Sequence, residues 1–170
     1  MRKRESGFSL VELLIAVAVV ALLAAYGVPA YQDYVLRTRV AEVLVWLKPY
    51  QDAVVVNAQN GMPLYSGVVF SANQPKALKS VGKSSVNGLM QVVFKGGPLE
   101  DKTLLLVPKY MDSGTGQHFN YAGTLTSSVI PTGVTWWSCR SDTLPGASSG
   151  VSLGTMPAKY VPASCRGQSM

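Results

Sequence analysis

The sequence predicts an α+β protein in which one long N-terminal α-helix is followed by an antiparallel β-sheet. Three observations predict this fold class. An apolar run covers residues 8–30, a helical pattern continues over residues 31–60, and three β-rich runs follow, separated by glycine-bearing turns. A helix that precedes successive strands in this way is typical of a sheet with its helix packed on one face.

The apolar run follows a basic N-terminus and contains a single charged residue. Three basic residues occupy positions 2–4, Gly7 directly precedes Phe8, and Glu12 is the only charge in the run. About twenty apolar residues suffice to cross a bilayer. A carboxylate near the centre of such a helix costs roughly 2.5–3.5 kcal/mol, so a plain membrane anchor gives no reason for Glu12.

A secretory signal peptide is the other simple interpretation of this N-terminus. Its cleavage would follow small residues such as Ala16-Val17-Ala18. The apolar run is longer than a typical signal-peptide core and does not stop at these residues. Neither a signal peptide nor a plain anchor explains why Phe8 follows Gly7 directly.

The second half of the helix, residues 31–60, is predicted to be amphipathic and to lie on a globular head. Apolar residues recur there mostly at steps of three and four, while charged residues occupy the remaining faces. The apolar positions are Leu36, Val40, Val43, Leu44, Leu47, Val54 and Ala58.

Two prolines interrupt the helical pattern. Pro29 and Pro49 each remove a backbone hydrogen bond and are predicted to kink the helix. An alternative ends one helix at Pro29 and begins another at Gln32. The sequence Asn60-Gly61-Met62-Pro63 predicts the helix end, because glycine and proline are the usual stop residues.

The head is predicted to contain a loop over residues 61–88 and an antiparallel sheet over residues 89–141. The loop includes one short β-like run at residues 64–70. The three better strand candidates are residues 89–94, 103–111 and 134–141.

Both cysteines, Cys139 and Cys165, lie near the C-terminus. The basic residues 2–4 should keep the N-terminus in the cytoplasm, so the head faces an oxidising compartment in which disulfides persist. A bond between these cysteines would stabilise the head by roughly 3–4 kcal/mol. The segment between them is poor in apolar residues, and Tyr160 and Val161 are its only expected anchors, as a short edge strand.

The chain shows no pattern of an enzyme, a metal site or a cofactor site. His118, the only histidine, has no recognisable acid or nucleophile partner, and two thiols with one distant histidine lack the spacing of zinc ligands. The glycines at 96, 97, 114 and 116 do not form a phosphate loop, because no helix with a Lys-Ser/Thr ending follows them. We therefore expect no catalytic residue, no cofactor and no metal.

The sequence resembles type IV pilins at two places. Residues 8–42, FSLVELLIAVAVVALLAAYGVPAYQDYVLRTRVAE, are similar to major pilins of the type IVa class. Residues 136–139 together with PAKYVPASCR (residues 157–166) resemble the end of the disulfide-bounded D-region of the same class. Pseudopilins of type II secretion share the first motif but generally lack the second. Residues 61–133 carry no motif of the family.

The resemblance implies a role for each part of the chain. Residues 1–7 would be a leader that prepilin peptidase removes between Gly7 and Phe8, and Phe8 would then be N-methylated. Residues 8–30 would form the transmembrane and filament-core helix, and residues 139–165 the disulfide D-region. Phe8 and Glu12 are the assembly residues, because the amine of one subunit needs an acidic partner in an apolar filament core.

The resemblance also implies partners and a location. The precursor would lie in the bacterial inner membrane with a cytoplasmic N-terminus and a periplasmic head. The assembly machinery would then polymerise it with other pilin subunits into an extracellular filament for adhesion and twitching motility.

The sequence leaves two alternatives open. The chain could be a minor pilin or a type II secretion pseudopilin, or it could be a competence pilin that binds DNA, with DNA or a host surface as a further partner. DNA binding would use surface cations, whose ordinary role is to keep a protein soluble. These cations are Lys76, Lys79, Lys83, Lys95, Lys102, Lys109, Lys159 and Arg166.

Overall fold

The computed structural model describes residues 9–84, 88–112, 118–120, 133–142 and 153–166. The chain divides into two units, Met1–Val35 and Leu36–Met170. Helix α1 (Leu10–Gln59) begins in the first unit and ends in the second, which also contains all the strands. The predicted α+β class, with a long N-terminal helix and an antiparallel sheet, is confirmed.

In the first unit, α1 is apolar on all sides over residues 13–28, and these residues are exposed. Its large apolar side chains are exposed, from 50% for Val19 to 82% for Tyr26. By length and composition this helix could cross a membrane. A helix that is apolar all round is stable only in lipid or in a bundle, so this stretch of helix needs an apolar environment.

The part of α1 in the second unit is amphipathic, as predicted. Its buried apolar residues fall at steps of three and four and form one stripe. The exposed side carries the ion pair between Lys48 and Asp52, whose nitrogen and oxygen are 3.2 Å apart. The residues of the buried stripe are Leu36, Val40, Val43, Leu47, Val54 and Ala58.

The helix is continuous through both prolines. Helical structure includes Pro29 and Pro49, so the alternative of two helices meeting near Pro29 is wrong. The kinks at these positions remain a prediction.

The helix ends at the predicted stop signal. Gly61 has φ of +66°, and its N–H donates to the carbonyl of Ala58 at 3.1 Å. The N–H of Met62 donates to the carbonyl of Asn57 at 2.9 Å. These two bonds form a Schellman motif, in which a left-handed glycine lets the last carbonyls find donors.

The connection after the helix packs back on α1. The buried Asn57 side chain donates to the carbonyls of Leu64 and Ser66 at 3.0 and 2.8 Å. The rings of Trp46, Tyr50 and Phe70 form a cluster with centroids 4.8–6.0 Å apart. The β-like run predicted at residues 64–70 is not a strand, because it turns at residues 64–67.

In the part of the chain that the structure describes, the sheet has five antiparallel strands centred on β3. β1, β2 and β3 follow one another in space, while β5 pairs with β3 on its other edge. The short β4 pairs with residues 109–111 of β3, on the edge opposite β5. The strands are β1 (Leu78–Lys83), β2 (Met90–Phe94), β3 (Thr103–Asp112), β4 (His118–Asn120) and β5 (Gly133–Arg140).

Three strands were predicted and two were missed. The predicted runs at residues 89–94, 103–111 and 134–141 correspond to β2, β3 and β5. The assignment of residues 61–88 to a loop was wrong, because β1 lies within that range. β1 is an edge strand that buries Leu78 but little else, so it lacks the alternation on which strand prediction depends. The other missed strand, β4, has only three residues.

Residues 154–156 return to the sheet and bind the beginning of β3. The N–H of Met156 donates to the carbonyl of Thr103 at 2.9 Å, and the Thr155 N–H donates to Thr103 Oγ1 at 3.0 Å. The N–H of Asp142 donates to the carbonyl of Met156 at 3.0 Å. Gly154 is buried where this segment meets β3 and β5.

We expect Gly154→Ala to destabilise the head. A Cβ at this position would collide with the carbonyl oxygen of Thr103 and lie 2.7 Å from that of Arg140, and backbone atoms cannot easily move aside. Thermal and urea unfolding should show a loss of about 1–3 kcal/mol, as for other overpacked sites. Gly82→Ala is the matched control, because its Cβ would make only ordinary contacts of 3.6 Å or more. Equal stability of the two variants would contradict this packing.

Candidate functional site

The first candidate site is the beginning of α1, where Glu12 lies in the first helical turn. Its Oε2 accepts a hydrogen bond of 3.3 Å from the N–H of Ser9, and the N–H of Leu13 donates to the Ser9 carbonyl at 3.2 Å. Ser9 is therefore the N-terminal cap of the helix, and Glu12 satisfies a backbone donor that the helix leaves free. A carboxylate is also favoured here by the helix dipole.

This capping role was missed although its signal is in the sequence. Ser9-x-x-Glu12 before an apolar run has the pattern of a capping box, in which the acid reaches back to the cap N–H. Glu12 thus has a local partner within its own chain. Its predicted role in assembly remains a prediction, as do the cleavage and methylation at Gly7 and Phe8, which lie outside the described residues.

The second candidate site is the uncovered apolar surface of the first unit. Exposed apolar patches larger than a few hundred Å² mark interaction surfaces or membrane contacts. Tyr26, Tyr31 and Tyr34 are exposed near the end of this surface, where amphipathic rings suit a membrane interface. The surface can bury its side chains in lipid or against identical helices, and neither choice requires a specific polar contact.

The third candidate site is the C-terminal region that the disulfide closes. Cys139 and Cys165 form the predicted bond, with their Cα atoms 4.9 Å apart. The bond joins β5 to a short 3₁₀ turn at residues 163–165. Cys165 is buried, so the sulfur bridge belongs to the core of the head.

The far end of this region is anchored more firmly than its composition suggested. Met156 and Val161 are fully buried and Tyr160 is nearly so. The expectation that Tyr160 and Val161 are the only anchors was therefore wrong, because Met156 was overlooked. The predicted edge strand is also wrong: residues 158–160 form a 3₁₀ turn instead.

Arg37 ties α1 to the same region. Its Nε donates a hydrogen bond of 2.7 Å to the carbonyl of Lys159, 122 residues further along the chain. The ammonium of Lys159 lies 4.5 Å from the centroid of the Tyr160 ring. Helix, sheet and C-terminal region of the second unit are thus joined by a disulfide and by a charge-assisted hydrogen bond.

Several of the predicted surface cations already have partners. Lys79 Nζ lies 2.6 Å from Asp101 Oδ1 and 3.4 Å from Glu100 Oε1, and these hydrogen bonds raise the pKa of Lys79. Lys83 donates to the carbonyl of Val68 at 3.1 Å and lies over the Tyr65 and Phe70 rings. These two lysines support local structure, which leaves less charge for a continuous stripe.

Burial also changes the titration of groups in the head. Burial lowers the pKa of Lys109, and the nearby Arg140 lowers it further. Burial also raises the pKa of Tyr65 well above its usual range. The Tyr65 hydroxyl donates to the carbonyl of Gly88 at 2.8 Å, so it acts as a structural donor.

Comparison with known proteins identifies two matching families. The prokaryotic N-terminal methylation motif matches residues 2–27. The pilin (bacterial filament) family matches residues 36–166, which correspond to the second unit as far as Arg166.

Curated relatives agree with these matches. The chain is 31% identical over 108 residues to "Prepilin peptidase-dependent protein D" of Escherichia coli, covering 55% of this chain and 74% of that protein. It is 40% identical over 57 residues to a fimbrial protein of Moraxella nonliquefaciens, covering 34% of this chain. It is 39% identical over 61 residues to the type IV major fimbrial protein FimA of Dichelobacter nodosus, covering 36% of this chain. These last two matches span only 37% and 38% of the relatives' own length.

A solved structure shows the same fold. The type IV pilin of Pseudomonas aeruginosa strain Pa110594 is similar with a TM-score of 0.56 and 21% identity. The match covers 77% of this chain and 97% of that chain.

We expect the double variant Cys139→Ser, Cys165→Ser to weaken the head but to leave membrane insertion intact. The bond closes a separation of 26 residues, which corresponds to about 3–4 kcal/mol on the chain-entropy model. The melting temperature of the head should fall by on the order of 10 °C. Insertion depends on the apolar helix of the first unit and should persist in membrane fractions.

The wild-type protein treated with a thiol reagent without prior reduction is the control, and it should show no reactive cysteine. Unchanged melting in the double variant would mean that packing of Met156, Tyr160 and Val161 is enough to hold the C-terminal region.

Proposed function

The chain belongs to the pilin family of bacterial filament subunits, and we propose that it is the major subunit of a type IVa pilus. Proteins of this family are structural subunits and not enzymes. In this proposal the chain is first anchored in the inner membrane and is then polymerised into a surface filament. The filament would serve in attachment and in twitching motility.

The observation that carries the proposal is the uncovered apolar surface of the first unit. Every large apolar side chain between Leu10 and Val28 that the structure describes is at least half exposed. Water-soluble monomers rarely expose so large an apolar surface, whereas identical helices in a bundle cover one another. Before assembly, lipid would cover it.

The subunits of the proposed filament need a fixed axial register as well as cohesion, and Glu12 can supply that register. Apolar packing is non-directional, so a set of apolar helices can slide past one another at little cost. After cleavage at Gly7, the amine of Phe8 would be a cation in an apolar surrounding and would need an acid. Glu12 of a neighbouring subunit can provide it. Pairing the two would fix the axial position of each subunit.

The local hydrogen bond of Glu12 is compatible with this role. A carboxylate has about four acceptor sites, and the N–H of Ser9 uses one oxygen, Oε2. The other oxygen can accept from an amine without loss of the cap. Capping also holds the side chain at the beginning of the helix, where it is ready for the partner.

Two features favour a major pilin over a minor pilin or a secretion pseudopilin. The disulfide between Cys139 and Cys165 closes a C-terminal region of the kind found in the type IVa class. One relative, which matches over 61 residues, is itself named a major fimbrial protein. DNA uptake receives less support, because Lys79 and Lys83 are engaged within the head.

We expect the mature protein to begin at Phe8, with a methylated amine. Mass spectrometry of sheared filaments measures the N-terminus directly. Gly7→Val should leave the full precursor in the membrane, because a peptidase that approaches the backbone at Gly7 tolerates little side-chain bulk. Ser6→Val is the matched control, since it adds bulk one residue away from the proposed bond. A mature N-terminus after Ala18 or Ala30 would remove the proposal.

Substitutions of Glu12 can separate its two roles. Glu12→Gln keeps an oxygen that accepts from the Ser9 N–H but removes the charge, whereas Glu12→Leu removes both. If the charge sets the register, both variants should insert in the membrane but yield at least about tenfold fewer filaments, because each added subunit lacks the charge that pairs with the Phe8 amine. Filament yield is measured by shearing and electron microscopy.

Asp52→Asn is the control for this series, since it removes one exposed carboxylate from the same helix. Wild-type filament yield from Glu12→Gln together with a loss in Glu12→Leu would assign Glu12 to capping alone.

A further inference from the structure

A basic cleft in the second unit has no role in the proposed assembly. It has a volume of about 320 Å³ and lies between α1, the segment before β1 and the end of β2. Its lining, which defines the basic cleft, consists of Arg39, Glu42, Lys76, Ala77, Lys95 and Gly96.

Three separate elements bring the cations of the basic cleft together. Arg39 is on α1, Lys76 precedes β1, and Lys95 directly follows β2. The N–H of Lys95 donates to the carbonyl of Ala77 at 2.9 Å, which holds the two lysine-bearing segments side by side. Buried Ala77 fixes the same segment against the core. Backbone pairing therefore brings the segments of Lys76 and Lys95 together, and the packing of α1 on the core adds Arg39.

The charges in the basic cleft do not balance. Among the described residues that line the basic cleft, Glu42 is the one acid against three cations, which gives these residues a net charge of +2. Within the described part of the chain, the side chains of Arg39, Lys76 and Lys95 make no ion pair or hydrogen bond. Like charges held close together repel, and an anion would relieve this repulsion.

Two other lysines of the second unit show the opposite arrangement. Lys79 has two carboxylates, Glu100 and Asp101, and Lys48 has Asp52. The backbone N–H of Gly96 is also occupied, because it donates to Glu100 Oε2 at 2.7 Å. The donors available to an anion are therefore the side chains of the three cations.

We propose that the basic cleft binds a single phosphate group. A phosphate carries up to two negative charges, which match the net charge of the cleft, whereas a carboxylate carries one. Arginine offers a fork of donors suited to phosphate oxygens, and lysines add point charges. The volume accommodates a phosphate with a small substituent. Two carboxylates balance the charge of Lys79, so the cations of the basic cleft do not continue into a stripe of the kind that duplex DNA would need.

The test uses the full-length chain in detergent micelles, titrated calorimetrically with inorganic phosphate in a phosphate-free buffer at constant low ionic strength. Saturable binding is expected for the wild type. Arg39→Gln and Lys95→Gln should each weaken binding about fivefold, since each removes one charge close to the anion. Glu42→Gln should strengthen binding about threefold, a gain that damage to the fold cannot produce.

Lys48→Gln is the matched control, because it removes an exposed cation that already has a carboxylate partner, and its affinity should equal that of the wild type. No saturable binding, or equal losses in Lys48→Gln and Arg39→Gln, would overturn the proposal.

Duplex DNA is titrated in parallel. Tighter binding of DNA that is lost in the Arg39 and Lys95 variants would replace the single phosphate with nucleic acid. The measurement needs no filament, so its failure would leave the proposed filament role untouched.

Discussion

The burial of one stripe of α1 against the sheet is the constraint on which the second unit depends. Residues from Leu36 to Ala58 supply that stripe, and the inner face of β2 and β3 supplies its counterpart in Met90, Val92, Phe94, Leu104 and Leu106. The connection after α1 and the C-terminal region pack against these two layers. The Schellman motif at Gly61 lets the chain turn back on the helix, and the aromatic cluster around Trp46 holds it there.

The C-terminal region shows why a covalent bond is used in addition to packing. Its 3₁₀ turns contribute few backbone hydrogen bonds, so order comes from Met156, Val161 and Cys165 in the core, from Thr103 at the start of β3, and from Arg37 on the helix. Each of these contacts holds one point of the segment. The disulfide is the link that no local fluctuation can release.

The sequence predicted the features that follow from the spacing of apolar residues and from the residues that end a helix. It did not predict the features that depend on tertiary partners. The stripe of α1, the helix end at Gly61 and strands β2, β3 and β5 all have strong local patterns. β1 is stable because β2 pairs with it, and its own residues, LKSVGK, hardly favour a strand. At the candidate sites, the cap formed by Ser9 and Glu12 was visible as a motif. The convergence of Arg39 with Lys76 and Lys95 was not visible in the sequence. The two lysines follow Arg39 by 37 and by 56 positions, so they meet it only through the fold.

The exposed helix of the first unit has a consequence for the energetics of a filament. Lipid chains and apolar side chains are nearly equivalent solvents for such a helix, so its transfer from bilayer to helix bundle has little hydrophobic driving force. A subunit can therefore pass between the two without exposing the helix to water. In the proposed filament, the contribution of this helix to the addition and removal of a subunit would then lie close to thermodynamic balance, and an external source of work could set the direction of growth.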